Sequence, residues 1–293
     1  MKWAFSRRED DPRTLIESGE PILTSGVHDA LSARLIEKAG SKAAVMGGYA
    51  TSACLLGKPD VGLLTMTEMS TQLRYICSAT GIPVIADGDT GHGNAINVIR
   101  TVQEFEAAGA AGILLEDQVA PKKCGHMEGK QVIPKEQHVR KIQAACEARR
   151  DPDFIIIART DARSVNGPDD AIDRALACKD AGADVLFVEA PIDVAELEEI
   201  ARRIKAPLVA DIIEGGKTPL LDVTELNRMG YQIIFYNLGS LYTITRALMD
   251  YYDYVVRHGA SKGFTGPVGS FEEFNSLIGL DEIKKLEKRY LRF

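Results

Sequence analysis

Carboxylates supply most of the side chains in this sequence that could do chemistry. Asp87 and Asp89 flank a glycine, and Glu116 ends a separate apolar run. Oxygen ligands without a His/Cys cluster beside them favour a hard cation, Mg²⁺ or Mn²⁺. Because converging carboxylates repel one another unless positive charge lies between them, we predict a metal site formed by Asp87, Asp89 and Glu116. The alternative is that these acids cap helices or pair with Arg159.

Cys124 is the candidate reactive thiol. It lies in the polar loop 122–130, next to Lys123 and two residues before His126. Nearby cations lower the pKa of a thiol, whereas a dry site that holds an anionic substrate raises it. A thiol between these two influences can exchange a proton with a carbon atom. A covalent nucleophile, a redox switch and zinc binding with His126 are alternatives, although two ligands are too few for a structural zinc site.

The elements that position these residues form a regular series. Eight short apolar runs alternate with helical segments, which predicts a parallel sheet buried on both faces. The runs are 22–25, 43–46, 83–87, 113–117, 154–161, 185–189, 208–213 and 232–237. Eight such units close a (β/α)₈ TIM barrel, whose chemistry lies at the carboxyl ends of the strands. An open doubly wound sheet is the alternative, but no Gly-x-Gly-x-x-Gly follows the first strand.

Helical segments flank the predicted barrel. A helix over 11–19 precedes it and is a candidate plug under the barrel. After the last strand we predict a helix over 241–257, a Gly/Pro-rich connection over 259–269 and a final helix over 271–288. The domain prediction is a barrel with its N-terminal helix over 1–258 and a helical tail over 259–293, packed on the barrel or on a partner subunit.

Composition excludes several classes of protein. The 293 residues carry a net charge of −7 with no Lys/Arg run, which argues against a nucleic-acid partner. No apolar run reaches membrane-spanning length, and the first residues lack an apolar signal core. The five cysteines are scattered and odd in number, which suits a reducing compartment. We therefore expect a cytoplasmic protein that does not bind membranes and acts on a small molecule.

Glycines follow the second strand, in the run Gly47-Gly48-Tyr49. Glycine lets backbone N–H groups approach a ligand closely and act as oxyanion donors, although a plain turn is the competing interpretation. His92 follows the third strand and is expected to gate or line the site. His138 is expected to be exposed on a helix.

Together these residues resemble the isocitrate lyase/phosphoenolpyruvate mutase superfamily over residues 20–260. The matching segments are Gly47-Gly48, Gly57-Lys58-Pro59-Asp60, 87–94, Glu116-Asp117, 122–126 and 158–162. The loop Lys122-Lys123-Cys124-Gly125-His126 resembles the carbon–carbon lyase branch, which includes 2-methylisocitrate lyase and 2,3-dimethylmalate lyase. The mutases and the oxaloacetate-acting members lack such a loop.

The resemblance implies roles for individual residues. Asp87 and Asp89 would bind Mg²⁺, and Glu116 would reach the metal through water. Cys124 would be the catalytic acid/base on a loop that closes over the substrate, with Lys122, His126 and Arg159 offsetting negative charge. The implied substrate-binding residues are Gly47, Gly48, Tyr49, Gly125, Glu189, Asp211, Ile213 and Asn237. The resemblance also implies a homotetramer that exchanges a C-terminal helix between paired subunits.

Differences from the family pattern bear on the substrate. Asp211, Ile213 and Tyr242 stand where 2-methylisocitrate lyase has Asn, Thr and Arg, and these changes remove capacity to bind anions. An unpaired carboxylate in a closed pocket is costly, which favours a 2,3-dimethylmalate-like dicarboxylate over 2-methylisocitrate. The expected products are a 2-oxo acid (pyruvate or glyoxylate) and a second carboxylate. An oxaloacetate-type decarboxylase or hydrolase and a non-catalytic metabolite-binding barrel are the alternatives.

Overall fold

The computed structural model describes residues 12–291. Its eight strands pair in parallel in chain order, and β8 pairs with β1, so that the sheet closes into a barrel. The strands are β1 (Ile22–Val27), β2 (Ala44–Met46), β3 (Val84–Asp87), β4 (Gly112–Glu116), β5 (Ile155–Thr160), β6 (Val185–Val188), β7 (Leu208–Ile212) and β8 (Ile233–Tyr236). The predicted (β/α)₈ barrel is confirmed, and every predicted strand is present.

Helices connect successive strands around the outside of the barrel. They are α1 (Pro12–Glu17), α2 (Ala30–Lys38), α3 (Gly48–Leu56), α4 (Met66–Ala79), α5 (Ala95–Ala108), α6 (Lys135–Ala148), α7 (Arg163–Asn166), α8 (Pro168–Asp180), α9 (Val194–Arg203) and α10 (Val223–Met229). Side-chain caps fix several of their first turns. Asp29 accepts the Ser32 N–H at 2.7 Å, and Thr65 and Asn94 begin α4 and α5 in the same way. Gly109 ends α5 in the left-handed conformation at φ +100°, as predicted.

Strand side chains alternate between two apolar clusters. One face, for example Ala86, Leu115 and Ala158, belongs to the larger cluster that includes the helices. The other face fills the barrel interior, and Leu15 and Ile16 of α1 pack against that inner cluster. The predicted plug therefore exists over Pro12–Glu17, while Asp11 lies outside the described residues.

The chain forms two compact units that divide after Gly239, at the start of the helix that follows β8, whereas the domain prediction placed the division after residue 258. The second unit contains helices α11 (Gly239–His258), α12 (Phe271–Leu277) and α13 (Leu280–Tyr290). The single helix predicted over 271–288 is thus two helices, because Gly279 adopts φ +87° between them. Within residues 12–291, no helix is long and apolar enough to cross a membrane.

Candidate active site

The site is a polar layer directly above the apolar layer of the barrel interior. The apolar layer consists of Val45, Ile85, Leu114, Ile157, Phe187, Val209 and Phe235. The residues two positions later are Gly47, Asp87, Glu116, Arg159, Glu189, Asp211 and Asn237. Because side chains two residues apart on a strand share a face, these seven residues surround the carboxyl-terminal mouth of the barrel. The strand pairing Glu116–Arg159 sets one acid beside the arginine.

Asp87 and Asp89 lie beside the first turn of α3. Asp87 accepts the backbone N–H of Gly48 at 3.0 Å and that of Asp89 at 2.9 Å. A Cβ on Gly48 would lie 3.0 Å from Asp87 Oδ2 and 3.1 Å from Asp89 Oδ1, so only glycine lets the helix start this close to both acids. The Gly48 amide, a predicted donor to the substrate, is therefore bonded to Asp87 here. Tyr49 follows it in the same turn.

Lys122 supplies the positive charge between these acids. Its Nζ lies 2.7 Å from Asp89 Oδ1 and 2.7 Å from Asp60 Oδ2, and its side chain is 4% exposed. Burial would lower the pKa of this ammonium, but Asp89, Asp87, Glu116 and Asp60 together raise it well above its ordinary value. Lys122 is thus a fixed cation on the acidic side of the site.

Glu116 and Arg159 occupy the centre of the polar layer. Arg159 Nε is 3.5 Å from Glu116 Oε2 and 3.0 Å from Asp161 Oδ2, and its Nη2 is 3.6 Å from Glu189 Oε1. Its guanidinium lies over the Phe187 ring, 5.4 Å from the centroid. One arginine thus faces three buried carboxylates, which raise its pKa well above the ordinary value despite burial.

The acids fit a divalent cation. Glu116 is fully buried, and neither of its carboxylate oxygens has a hydrogen-bond partner among the described residues. Burial raises the pKa of Glu116 well above its ordinary value and that of Asp89 to about 6. A buried carboxylate that has an ion pair at 3.5 Å but no hydrogen bond is costly, and a hard cation held by oxygen ligands would reduce that cost. Asp87, Asp89 and Glu116 therefore remain the predicted ligands.

The cysteine loop, residues 122–130, is held over the mouth of the barrel by several hydrogen bonds. Gln118 binds the backbone of Lys123 twice, through its Nε2 to the carbonyl at 2.8 Å and its Oε1 to the N–H at 2.9 Å. The Cys124 N–H donates to the Asp60 carbonyl at 3.0 Å. The Lys217 N–H donates to His126 Nδ1 at 2.9 Å. The structure thus places Cys124, Gly125 and His126 beside the polar layer.

Gly125 is a point of close approach between this loop and the barrel. A Cβ at this position would overlap Glu189 Oε1 and Arg159 Nη2. The loop therefore rests directly on two charged side chains of the site, and a substrate below it would be shielded from water.

Burial determines the state of the Cys124 thiol. It raises the pKa of Cys124 to about 11, and Glu189 and Asp60 add to the rise while a backbone hydrogen bond at His126 and Arg159 oppose it. Burial, which raises the pKa of the thiol, therefore has a larger effect than the neighbouring cations, which lower it. The thiol keeps its proton near neutral pH and is suited to donate it.

Within residues 12–291, the ligand atoms of His126, Glu189 and Asp211 all lie within 4.8 Å of one another, which is a second arrangement whose spacing could hold a metal ion. His126 Nε2 lies 3.4 Å from Glu189 Oε1, while Nδ1 accepts the Lys217 N–H. An imidazole that accepts at Nδ1 carries its proton on Nε2, whereas a metal-bound histidine donates through its second nitrogen. This geometry favours a proton over a metal between His126 and Glu189.

Asp211 is one of the acidic residues that line one wall of the pocket. It is buried beside Glu189, and burial together with the Glu189 charge raises its pKa well above the ordinary value. Asn237 hydrogen-bonds Asp211 and lies against Gly47, whose added Cβ would be 3.0 Å from Asn237 Oδ1. Ile213 is buried just beyond β7. This wall offers an apolar side chain and acids rather than cations.

Three residues at the site escaped the sequence reasoning. Asp60 holds Lys122 through its side chain and Cys124 through its carbonyl, and only the segment 57–60 of the family resemblance pointed to it. Asp161 accepts two hydrogen bonds from Arg159, and Lys130 binds Asp161. The prediction for His138 was wrong, since the side chain is buried in the core at 1% exposure.

A closed parallel barrel with buried acids, an arginine and a cysteine-bearing loop at its carboxyl-terminal mouth is typical of an enzyme active site. The phosphoenolpyruvate phosphomutase family matches residues 13–255. The chain therefore belongs to the phosphoenolpyruvate mutase/isocitrate lyase superfamily, and the predicted lyase class is supported by its relatives.

The relatives differ in chemistry although they are similar in sequence. The chain is 47% identical over 278 residues to 2,3-dimethylmalate lyase of Eubacterium barkeri, covering 95% of this chain and 96% of that one. It is 50% identical over 280 residues to the chloroplastic carboxyvinyl-carboxyphosphonate phosphorylmutase of Arabidopsis thaliana, covering 94% and 83%. Oxaloacetate acetylhydrolase bound to 3,3-difluorooxalacetate superposes with a TM-score of 0.90 at 32% identity, covering 95% of each chain. The family is thus established, whereas the substrate has to be argued from the site.

Proposed function

We propose that the chain is a divalent-metal-dependent carbon–carbon lyase. Its substrate would be a 2-hydroxy dicarboxylate with alkyl substituents, of the 2,3-dimethylmalate type, and its products a 2-oxo acid and a second carboxylate. The observation that carries this proposal is a buried thiol, with a pKa of about 11, on a loop that rests on Arg159 and Glu189. Breaking the carbon–carbon bond leaves its electrons on the carbon next to the second carboxylate, and that carbon needs a proton donor of this kind.

The cation would be held by Asp87, Asp89 and Glu116. When bound, it would act as a Lewis acid toward the substrate hydroxyl and the neighbouring carboxylate. Lys122 offsets the charge of these acids, with its Nζ 2.7 Å from Asp89 Oδ1. The first-turn amide at Tyr49 would orient the carboxylate of the oxo acid, because the Gly48 amide already donates to Asp87. We propose Mg²⁺ as the physiological ion, with Mn²⁺ as the alternative.

Cleavage converts the carbinol carbon into the oxo group of the 2-oxo acid. The hydroxyl proton leaves to a base, and the electrons of the broken carbon–carbon bond remain on the carbon next to the second carboxylate. Cys124 donates its proton to that carbon, and Arg159 offsets the negative charge that develops beside it. The cysteine loop acts as a lid that excludes water, which would otherwise protonate the carbanion indiscriminately.

The wall formed by Glu189, Asp211 and Ile213 supports a dicarboxylate. Two acids and an aliphatic side chain provide no cation for a third carboxylate, and an uncompensated charge in a closed pocket is costly. An alkyl group of the substrate would contact Ile213 without such a cost. 2-Methylisocitrate is therefore the less favoured substrate.

We further propose a cytoplasmic homotetramer in which the second unit packs on a partner subunit. Its helices carry large exposed apolar side chains, among them Val256 at 83% and Phe271 at 87% exposure. Exposed apolar groups of this size are typical of surfaces that become covered. Light scattering of the purified protein tests the tetramer.

The test of the reaction is a panel of 2-alkylmalates, 2-methylisocitrate and oxaloacetate, assayed with Mg²⁺ and with lactate dehydrogenase to detect the released 2-oxo acid. We expect the highest kcat/KM on a 2,3-dialkylmalate. Cys124→Ala should abolish turnover while Mg²⁺ and pyruvate still bind. Release of acetate and oxalate from oxaloacetate by the wild-type protein, with no activity on the alkylmalates or on 2-methylisocitrate, would support a hydrolase instead, and activity on no compound would support a binding protein.

A further inference from the structure

Lys130 is a buried cation at the end of the cysteine loop that the proposed chemistry does not use. Its side chain is 1% exposed, and its Nζ donates to Asp161 Oδ1 at 2.8 Å and to the carbonyl of Gly125. A buried ammonium is tolerated only when it is paired and hydrogen-bonded. Both partners of Lys130 belong to the site, one on the lid and one on the barrel.

Asp161 connects Lys130 to Arg159. Its Oδ2 accepts from Arg159 Nε at 3.0 Å, and its Oδ1 accepts from Arg159 Nη2 at 3.1 Å as well as from Lys130. The Asp161 backbone N–H is fixed in turn by Asp117 Oδ1 at 2.8 Å. Because two paired bonds define the plane of a guanidinium, Asp161 orients Arg159, and Lys130 shares the oxygen through which it does so.

The same ammonium also fixes the lid. The Gly125 carbonyl that it binds belongs to the residue next to Cys124, at the point where the loop lies against Glu189 and Arg159. Movement of the loop away from the mouth would break that bond and withdraw the ammonium from Asp161. Asp161 would then lose one of the two cations that compensate its buried charge.

We propose that Lys130 is a positioning residue that couples closure of the cysteine loop to the orientation of Arg159. The loop closes when the ammonium reaches Asp161, and in that position the thiol and the guanidinium face the same substrate. The kinetic part of this inference rests on the proposed lyase function, but the structural part does not.

The test compares Lys130→Met with Lys123→Met. Lys123 is on the same loop, and its Nζ donates to the carbonyls of Glu128 and Gly129 at the surface. Iodoacetamide labelling, followed by mass spectrometry of the peptide that contains Cys124, measures access to the thiol without any assay of turnover. We expect labelling in Lys130→Met to be about tenfold faster than in wild type, and labelling in Lys123→Met to be unchanged.

In the lyase assay we expect kcat of Lys130→Met to fall about 100-fold, the cost of misplacing a catalytic group by about 1 Å, with a much smaller change in KM. Lys130→Arg keeps the charge, so its labelling rate and its kcat should both lie between those of Lys130→Met and wild type. If Lys130→Met does not fold, Lys130→Arg carries the test, with labelling and kcat both changed in the same directions. A folded Lys130 variant that is labelled at the wild-type rate overturns the coupling, whatever reaction the enzyme catalyses. Faster labelling of that variant, with no activity in the wild type or in any variant, overturns only the proposed function.

Discussion

Gly125→Ala is the substitution for which the structure gives the clearest expectation. The Gly125 backbone is not in the left-handed region, so alanine adds no backbone strain. Its methyl group, however, would lie 2.0 Å from Glu189 Oε1 and 2.4 Å from Arg159 Nη2. Ordinary contact requires about 3.5 Å, so the lid or the charged pair must move by about 1.5 Å.

The lid is expected to move, because Glu189 and Arg159 are buried in the barrel mouth and tied to other charged groups. A displacement of this size costs about 100-fold in rate, which is about 2.7 kcal/mol of transition-state stabilisation. The assay is kcat/KM on the best substrate of the alkylmalate panel, with thermal unfolding measured on the same preparation. We expect the unfolding temperature to change little, since the displacement is taken up by the loop and leaves the apolar clusters of the barrel unchanged.

Gly269→Ala is the matched control, because a Cβ there meets nothing within 4 Å. Activity of Gly125→Ala within threefold of wild type would refute the reasoning, since the lid could then not rest on the charged pair during turnover. A large loss in Gly269→Ala as well would show that the effect is not specific to the lid.

Two further predictions concern protonation. Because burial raises the pKa of Cys124 to about 11, its alkylation rate in the wild type should rise about tenfold per pH unit from pH 7 to pH 10, and a plateau near pH 8.5 would contradict a buried thiol. Burial lowers the pKa of His138 from 6.5 to about 3, so the unfolded chain binds a proton that the folded one does not, and stability is lost as pH falls below about 6.5. Urea unfolding should therefore show wild type losing about 2 kcal/mol more than His138→Leu between pH 6.5 and pH 5.0, and equal losses would contradict it.

The barrel and its polar layer could be predicted because both depend on local pattern. Each strand is a short apolar run, and the residue that ends the run is polar where it reaches the mouth, as in Asp87 and Glu116. Alternation along a strand then places these side chains on the inner face without knowledge of the helices. The glycine stops that close the helices, such as Gly109, are equally local.

The supporting contacts could not be predicted, because they join segments far apart in sequence. Asp60 and Lys122 are 62 positions apart, and Lys130 and Asp161 are 31 apart, with nothing in the intervening residues that indicates the pairing. The burial of His138 was missed for a related reason, since it depends on how α6 is rotated against the barrel. The break at Gly279 was missed because an isolated glycine is tolerated in many helices.

The ends of the cysteine loop are joined to each other where they leave the barrel. Gln118 and Val132 form an antiparallel bridge, and the Val119 N–H donates to the Gln131 carbonyl at 2.8 Å. The intervening stretch is consequently a loop whose two ends lie next to each other. Replacing it would exchange Lys122, the cation bonded to Asp89, together with Cys124, so that the charge at the metal acids and the proton donor change in one step when such a barrel scaffold diversifies its chemistry.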